Sequence, residues 1–191
     1  MEKIGLFFGS FNPVHNGHLM LANYILAFGD IDQVWFVVSP HNPLKPVSDL
    51  LPENQRLDLV RFAIDGFARF KLCDIEFAMP RPSFTIDTLT LLSSKHPEKH
   101  FSLIMGSDSI DSFHLWKDFE TLLSRYTLLV YPRKGGSENN PLYQHHSVKR
   151  IEAPQIEVSS SFIRKGLKQG KDLRFFMPKG VFERFLQQLD N

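Results

Sequence analysis

Two short stretches of this chain carry side chains suited to holding phosphate, and they lie near opposite ends. The first is GSFNPVHNGH, residues 9 to 18. Gly9 permits a tight turn with close backbone approach, and Pro13 stiffens the loop. His15 and His18 are three apart, so at the start of a helix they share a face. A helix N-terminus offers unbonded N–H groups and a partial positive charge. Two imidazoles beside it make an anion site that suits a polyphosphate. Either histidine alone would read as a turn or capping residue; the pair within one loop points to ligand chemistry. No third residue has the spacing of a zinc ligand, and His145 and His146 fall in a polar loop, so no protein-held metal is expected.

The second stretch is VSSSFIRKG, residues 158 to 166. Ser159, Ser160 and Ser161 supply hydroxyls and an N-cap for a helix. Ile163 should point inward, and Arg164 lies one turn beyond Ser160, with a guanidinium able to grip two phosphate oxygens. By itself this is an ordinary capped surface helix. Neither GxGxxG nor GxxxxGK[ST] is present, nor a GxSxG elbow, which disfavours dinucleotide oxidoreductases, P-loop kinases and α/β-hydrolases.

The elements that must position these residues alternate. KIGLFF, QVWFVVS, FKLCDIEF, FSLIMG, TLLVYP and HSVKRIEAP read as strands. Between and after them, NGHLMLANYILAF, PENQRLDLVRFAIDGF, TIDTLTLLSSKH, DFETLLSRY, SSSFIRKGLKQG and PKGVFERFLQQL read as helices. This predicts an α/β, Rossmann-like doubly wound domain over residues 1–191, with a mostly parallel sheet of about five or six strands and helices on both faces. Ligands in such sheets bind beyond the carboxyl ends of the strands, where the unusual residues fall. Segments 39–48 and 135–146 are candidates to close over a ligand. Arg56 and Arg61 read as members of a solvated helix face.

Composition narrows the classes. Hydrophobic residues make up 42% and charged residues 23% of 191, enough for a core. The eighteen phenylalanines are expected mostly in that core. A net charge of +1 gives no basic footprint for nucleic acid. The single Cys73 is expected buried and inert. MEKIGLFFGSFNP lacks a signal-peptide pattern, and no run approaches the ~20 apolar residues of a membrane span. A cytoplasmic protein with no membrane partner is expected; the sequence leaves a homo-oligomer open.

GSFNPVHNGH resembles the (T/H)xGH signature of the nucleotidyltransferase superfamily, and VSSSFIR resembles its ISSTxIR signature. Intervening segments extend the likeness over nearly the whole chain, most closely to bacterial nicotinate-nucleotide adenylyltransferases. The resemblance implies that Gly9, Ser10, Phe11, His15, His18, Gly106, Asp108, Ser160, Ser161 and Arg164 bind ATP, with Gly106 and Asp108 against its ribose. Catalysis would rest on His18, His15 and Arg164. SPHNPLKP would bring Asn42 and Lys45 to the second substrate. Ser83, Phe84 and Thr85 of PSFTIDTL would surround a nicotinate ring, with Asp87 at a motif position. Trp116 would stack on that ring, and Arg133 would lie near it. The sequence departs from the family pattern at Ser10, Asn12, Phe84 and Ser161, where threonine, aspartate, tyrosine and threonine are frequent, and at His41–Asn42. Taken singly, Trp116 reads as a half-buried residue, Asp108 as a helix cap, Lys45 as a loop charge and Thr85 as an N-cap.

The implied reaction is adenylyl transfer from ATP to nicotinate mononucleotide, giving deamido-NAD and pyrophosphate, with Mg²⁺ carried by ATP. Alternatives are an adenylyltransferase for nicotinamide mononucleotide or phosphopantetheine, or a nucleotide sensor without turnover.

Overall fold

Strands pair side by side, and the apolar runs at the centre of the sheet are buried on both faces and so must be covered on both. In the computed structural model, which describes residues 1–40 and 50–189, β1 (Glu2–Gly9), β2 (Gln33–Val38), β3 (Phe70–Cys73), β4 (Lys99–Gly106), β5 (Thr127–Tyr131) and β6 (Val148–Arg150) form one sheet. Its order is β3-β2-β1-β4-β5-β6, and every pairing is parallel. The chain winds outward from β1 in one direction and from β4 in the other, so the topological switch point lies between them.

The period-two alternation of each strand divides the core into two layers. Phe7, Val34, Phe36, Val38, Ile104 and Leu129 face one layer. There they meet α1 (Asn16–Phe28), α2 (Glu53–Ile64), Ile163 of α6 (Ser160–Lys168) and α7 (Val181–Leu189). Ile4, Leu6, Val37, Leu103, Met105 and Leu128 face the other. It is covered by α3 (Thr85–Lys95), the short α4 (Ser107–Ile110) and α5 (Phe119–Arg125). The predicted doubly wound sheet is therefore present, with all of its pairings parallel.

Three local expectations are corrected. FKLCDIEF does not run as one strand: β3 ends at Cys73, and Ile75–Ala78 form a 3-10 turn. That turn buries the carboxylate of Glu76, which a continuing strand would not have required. Arg56 is not on a solvated face; it is fully buried. Its place in α2 follows from period 3.6, because Leu59 and Val60 lie three and four residues on and share its buried stripe. The phenylalanines divide more evenly than composition suggests. Phe7, Phe11, Phe36, Phe70, Phe101, Phe113, Phe182 and Phe185 are buried, whereas Phe28, Phe62, Phe67, Phe162, Phe175 and Phe176 stand exposed.

Phe36 ties the sheet to the loop after β1, since its ring centroid lies 5.7 Å from Phe7, 5.6 Å from Phe11 and 5.2 Å from Phe70. Phe36→Ala should cost about 3–5 kcal/mol of stability by urea denaturation. A loss under about 1 kcal/mol would mean that the aromatic cluster relaxes into the space and does not brace this layer.

Candidate active site

The loop from Ser10 to His15 leaves the end of β1 and turns sharply into α1. Phe11 takes a left-handed backbone conformation, with φ 44°, which is costly for a residue with a Cβ. Its ring is 2% exposed and lies edge-on to Phe7 and His18, 5.8 and 5.0 Å away, so burial offsets the strain. The tuck requires Gly9: a Cβ there would stand 2.8 Å from the Phe11 ring. Gly17 serves similarly, since a Cβ would come within 3.0 Å of His15 Nδ1 and 3.3 Å of Ile156.

His15 is the N-cap of α1 and His18 its third residue. Their rings stack, centroids 3.6 Å apart and planes 23° from parallel. The His15 backbone N–H donates to His18 Nδ1 at 3.2 Å. His15 is buried, and its Nδ1 has no hydrogen-bond partner among the described residues. Burial first, and the Arg133 charge second, push its pKa down from 6.5 to about 4. It is neutral at pH 7.

The far end of the chain closes onto this loop. Ser159 caps α6, its hydroxyl accepting from the Phe162 N–H at 3.1 Å. Ser160 Oγ donates to the Pro13 carbonyl at 2.8 Å, and Arg164 Nη1 donates to the Asn12 carbonyl at 2.7 Å. The Ser160 hydroxyl is thus spent on structure, leaving the first N–H groups of α6, the exposed Ser161 hydroxyl and the rest of the Arg164 fork to meet a ligand. The two predicted phosphate-binding stretches form one cradle around a cavity of about 350 Å³. Gly9, Ser10, Phe11, His15, His18, Ser160, Ser161 and Arg164 all line it. Pro154 and Ile156, which the sequence had not singled out, add an apolar wall together with Val158.

A second cavity, about 260 Å³, opens across the end of β1. Ser83, Phe84, Thr85 and Trp116 line it, together with Gly106, Glu76, Ser39 and Lys117. The two cavities share Phe7, Phe8, Gly9, Ser10, Tyr131 and Arg133 at their border. Arg133 was expected at the second substrate alone; it faces both cavities. Gly106 lines the second cavity rather than the first. Asp108 is exposed and sits 3.7 Å from Arg133, outside the lining of both among the described residues. Asn42 and Lys45, with most of segment 39–48, lie outside the described residues.

Several contributors went unseen in the sequence. Glu76 accepts from Thr88 Oγ1 at 2.7 Å and from Ser83 Oγ at 3.1 Å, which fixes the turn into α3. Ser83 therefore already donates its hydroxyl proton, and the donors that remain to a ligand there are backbone N–H groups at the start of α3 and the Thr85 hydroxyl. Lys117 bonds both carboxylate oxygens of Asp87 at 2.9 Å and lies 5.0 Å from the centre of the Phe84 ring. Ser107 Oγ accepts from the Arg133 N–H at 2.8 Å and donates to its carbonyl at 3.1 Å, pinning that backbone at the border. Burial raises the pKa of Tyr131, keeping its phenol protonated. No group of three His, Cys, Asp or Glu side chains among the described residues is placed to hold a metal.

A parallel sheet with two cavities meeting at its switch point is the architecture of a Rossmann-like nucleotide-binding fold. The cytidylyltransferase-like family pattern matches residues 6–166, and the chain belongs to that family. It is 47% identical over 189 residues to a probable nicotinate-nucleotide adenylyltransferase of Bacteroides fragilis, covering 99% of this chain and 94% of that one. It is 47% identical over 186 residues to the corresponding protein of Cytophaga hutchinsonii, covering 97% and 96%. The fold is also that of the Plasmodium falciparum nicotinic acid mononucleotide adenylyltransferase complexed with NaAD, at TM-score 0.81 and 20% identity over 98% of this chain and 96% of that one.

The depressed pKa of His15 makes stability pH-dependent. Between pH 6.5 and about 4 the unfolded chain holds a proton on this imidazole that the folded chain does not. Stability is full above that window and falls as pH drops through it, by on the order of 3 kcal/mol in all. Urea denaturation across this range should show a shallower fall for His15→Asn than for the wild type. Parallel profiles would mean His15 titrates normally in the folded protein.

Proposed function

We propose that this protein transfers the adenylyl group of ATP to nicotinate mononucleotide, releasing pyrophosphate and forming deamido-NAD. The observation that carries this reading is the meeting of two unlike cavities at the end of β1, one built for polyanions and one for an aromatic ring, with a shared border where two substrates would react.

The mononucleotide phosphate is its own nucleophile. Its second pKa, like that of other phosphomonoesters, is about 6, so it is mostly dianionic at neutral pH. One of its oxygens attacks the α-phosphorus of ATP; that P–O bond forms as the bond to the β-phosphate oxygen breaks, and pyrophosphate leaves. No covalent enzyme intermediate and no base are required. What the protein supplies is alignment of two mutually repelling anions and stabilisation of charge in transit.

His18 faces the first cavity from the opening turn of α1 and donates to the α-phosphate oxygens. His15, neutral and held at the N-cap, orients His18 by ring stacking and through its backbone N–H. Arg164 and the N–H groups of Ser160 and Ser161 hold the β- and γ-phosphates. Pro154, Ile156 and Val158 give the adenine an apolar wall. Arg133, facing both cavities, lies where the attacking and receiving phosphates meet. Mg²⁺ would be carried mainly by the triphosphate and water, since no group of three His, Cys, Asp or Glu side chains among the described residues is placed to hold it. When bound it would neutralise charge on the leaving group.

In the second cavity, Phe84 and Trp116 suit a flat ring. The N–H groups opening α3 and the Thr85 hydroxyl suit a carboxylate better than an amide, because every one of them is a donor. A cytoplasmic location fits this assignment, as does a thiol at Cys73 that burial pushes up to about 11 and so keeps inert. Among the described residues no helix is long and apolar enough to cross a membrane.

Pyrophosphate release with ATP–Mg²⁺ and a panel of mononucleotides tests the proposal. Turnover should be fastest with nicotinate mononucleotide; preference for nicotinamide mononucleotide or phosphopantetheine would contradict it, and ATP binding without turnover would make the protein a sensor. His18→Ala should cut kcat by roughly 10²–10³ with the fold intact, as for loss of one charge-stabilising donor; near-normal turnover removes His18 from the mechanism. Trp116→Ala should raise KM for the mononucleotide more than for ATP, and equal effects would refute the stacking.

A further inference from the structure

Arg56 is a fully buried side chain whose hydrogen bonds, among the described residues, go to backbone carbonyls, with the charge of Glu53 also acting on it. Its Nε donates to the Leu51 carbonyl at 2.9 Å, Nη1 to the carbonyls of Ser10 at 2.7 Å and Ser39 at 2.8 Å, and Nη2 to that of Pro40 at 2.7 Å. Burial of a guanidinium is expensive unless its N–H groups are hydrogen-bonded; here the carbonyl dipoles take up its donors. Burial lowers its pKa to about 10, which still leaves it charged at neutral pH.

The acceptors are not scattered. Ser10 begins the loop after β1 and lines both cavities, while Ser39, next after β2, lines the second. A single nitrogen, Nη1, binds both carbonyls, so the separation of these two loops is set by one atom. The Ser39 N–H also donates to the Gly9 carbonyl at 2.9 Å, so the two strand ends are tied twice. Leu51 and Pro40 are brought to the same guanidinium, and the Leu51 N–H donates to the buried Asn12 side chain at 3.2 Å. Arg56 touches no place where substrate would sit, yet it underlies the border where the two cavities meet.

We propose that Arg56 is a positioning residue for adenylyl transfer: its planar fork sets the spacing between the loop carrying the triphosphate cradle and the β2 end of the mononucleotide cavity. A lysine cannot do this. It offers a compact tetrahedral charge, not a plane of donors directed at four carbonyls. Loosening the fork shifts Ser10 and the histidine loop against Ser39, and a shift of about 1 Å at a distance from the chemistry can cost about 10²-fold in rate.

This inference rests on the adenylyl-transfer reading, so wild-type pyrophosphate release is the control; no turnover by the wild type would overturn that reading and this one with it. Given wild-type turnover, Arg56→Lys and Arg56→Gln are compared in the full-length chain for thermal midpoint, kcat per folded molecule, and KM for each substrate. The expected result is a folded variant in which kcat and kcat/KM fall together by about 10²-fold. Low-millimolar guanidinium chloride should partly restore kcat in Arg56→Gln, and an equal concentration of sodium chloride should not. A folded variant with a lower thermal midpoint but unchanged kcat would overturn the proposal. So would a loss confined to KM, or failure of both variants to fold in the cold, which would make Arg56 a folding residue alone.

Discussion

Two backbone carbonyls, those of Asn12 and Pro13, hold this molecule's chemistry together. They accept from Arg164 and Ser160, 152 and 147 residues further along the chain. Neither contact is large in free energy, since a typical hydrogen bond contributes about 1 kcal/mol and a charged one about 1.5–3 kcal/mol. Their importance is geometric. The loop after β1 has already bent through a left-handed Phe11, and these bonds fasten α6 to its outer side, so two helix N-termini and two imidazoles converge on one space. A triphosphate needs such convergence because it brings several charges that no single loop on a nearly neutral protein could balance.

The rest of the fold supplies rigidity to that convergence. Phe7, Phe11 and Phe36 form a packed cluster from strand to loop, and Ile163 seats α6 against the same core layer. Arg56 binds the loop at Ser10 and fixes it to the end of β2. The loop is therefore held by side chains from α2 and α6, helices that are distant in sequence and cover the same face of the sheet. Preorganisation of this kind matters when the reaction needs no acid, base or covalent step from the protein and the rate depends on placement and electrostatics. The neutral state of His15 belongs to the same design: an extra buried positive charge beside Arg133 would cost stability before any anion arrived to balance it.

The sheet and much of the site were legible because their signals are periodic or local. Apolar runs buried on both faces predict parallel strands, and a strand followed by GSFNPVHNGH places two histidines at a helix start whatever follows. The Ser159 cap and the inward Ile163 could likewise be read from spacing. What escaped depends on tertiary partners. Arg56 lies on the stripe defined by Leu59 and Val60, and that spacing was the available clue; its charge argued for solvent, and only the cluster of carbonyls at two strand ends makes its burial tolerable. Glu76 gave less warning, since its partners Ser83 and Thr88 meet it only once β3 stops at Cys73. The dual exposure of Arg133 could not be read from sequence, because it depends on where two cavities touch. Asn42 and Lys45 remain readings of the sequence and its resemblance.

Both ends of the chain, on this view, contribute to one triphosphate site that faces a pyridine site across the end of β1. A crystal structure with a non-hydrolysable ATP analogue and nicotinate mononucleotide bound together tests this most directly. The triphosphate should lie between His18 and the first turn of α6, the pyridine ring against Trp116, and the mononucleotide phosphate near Arg133 in line with the α-phosphorus. A triphosphate bound away from α6, or a pyridine ring lying in the cradle beside His15, would contradict it.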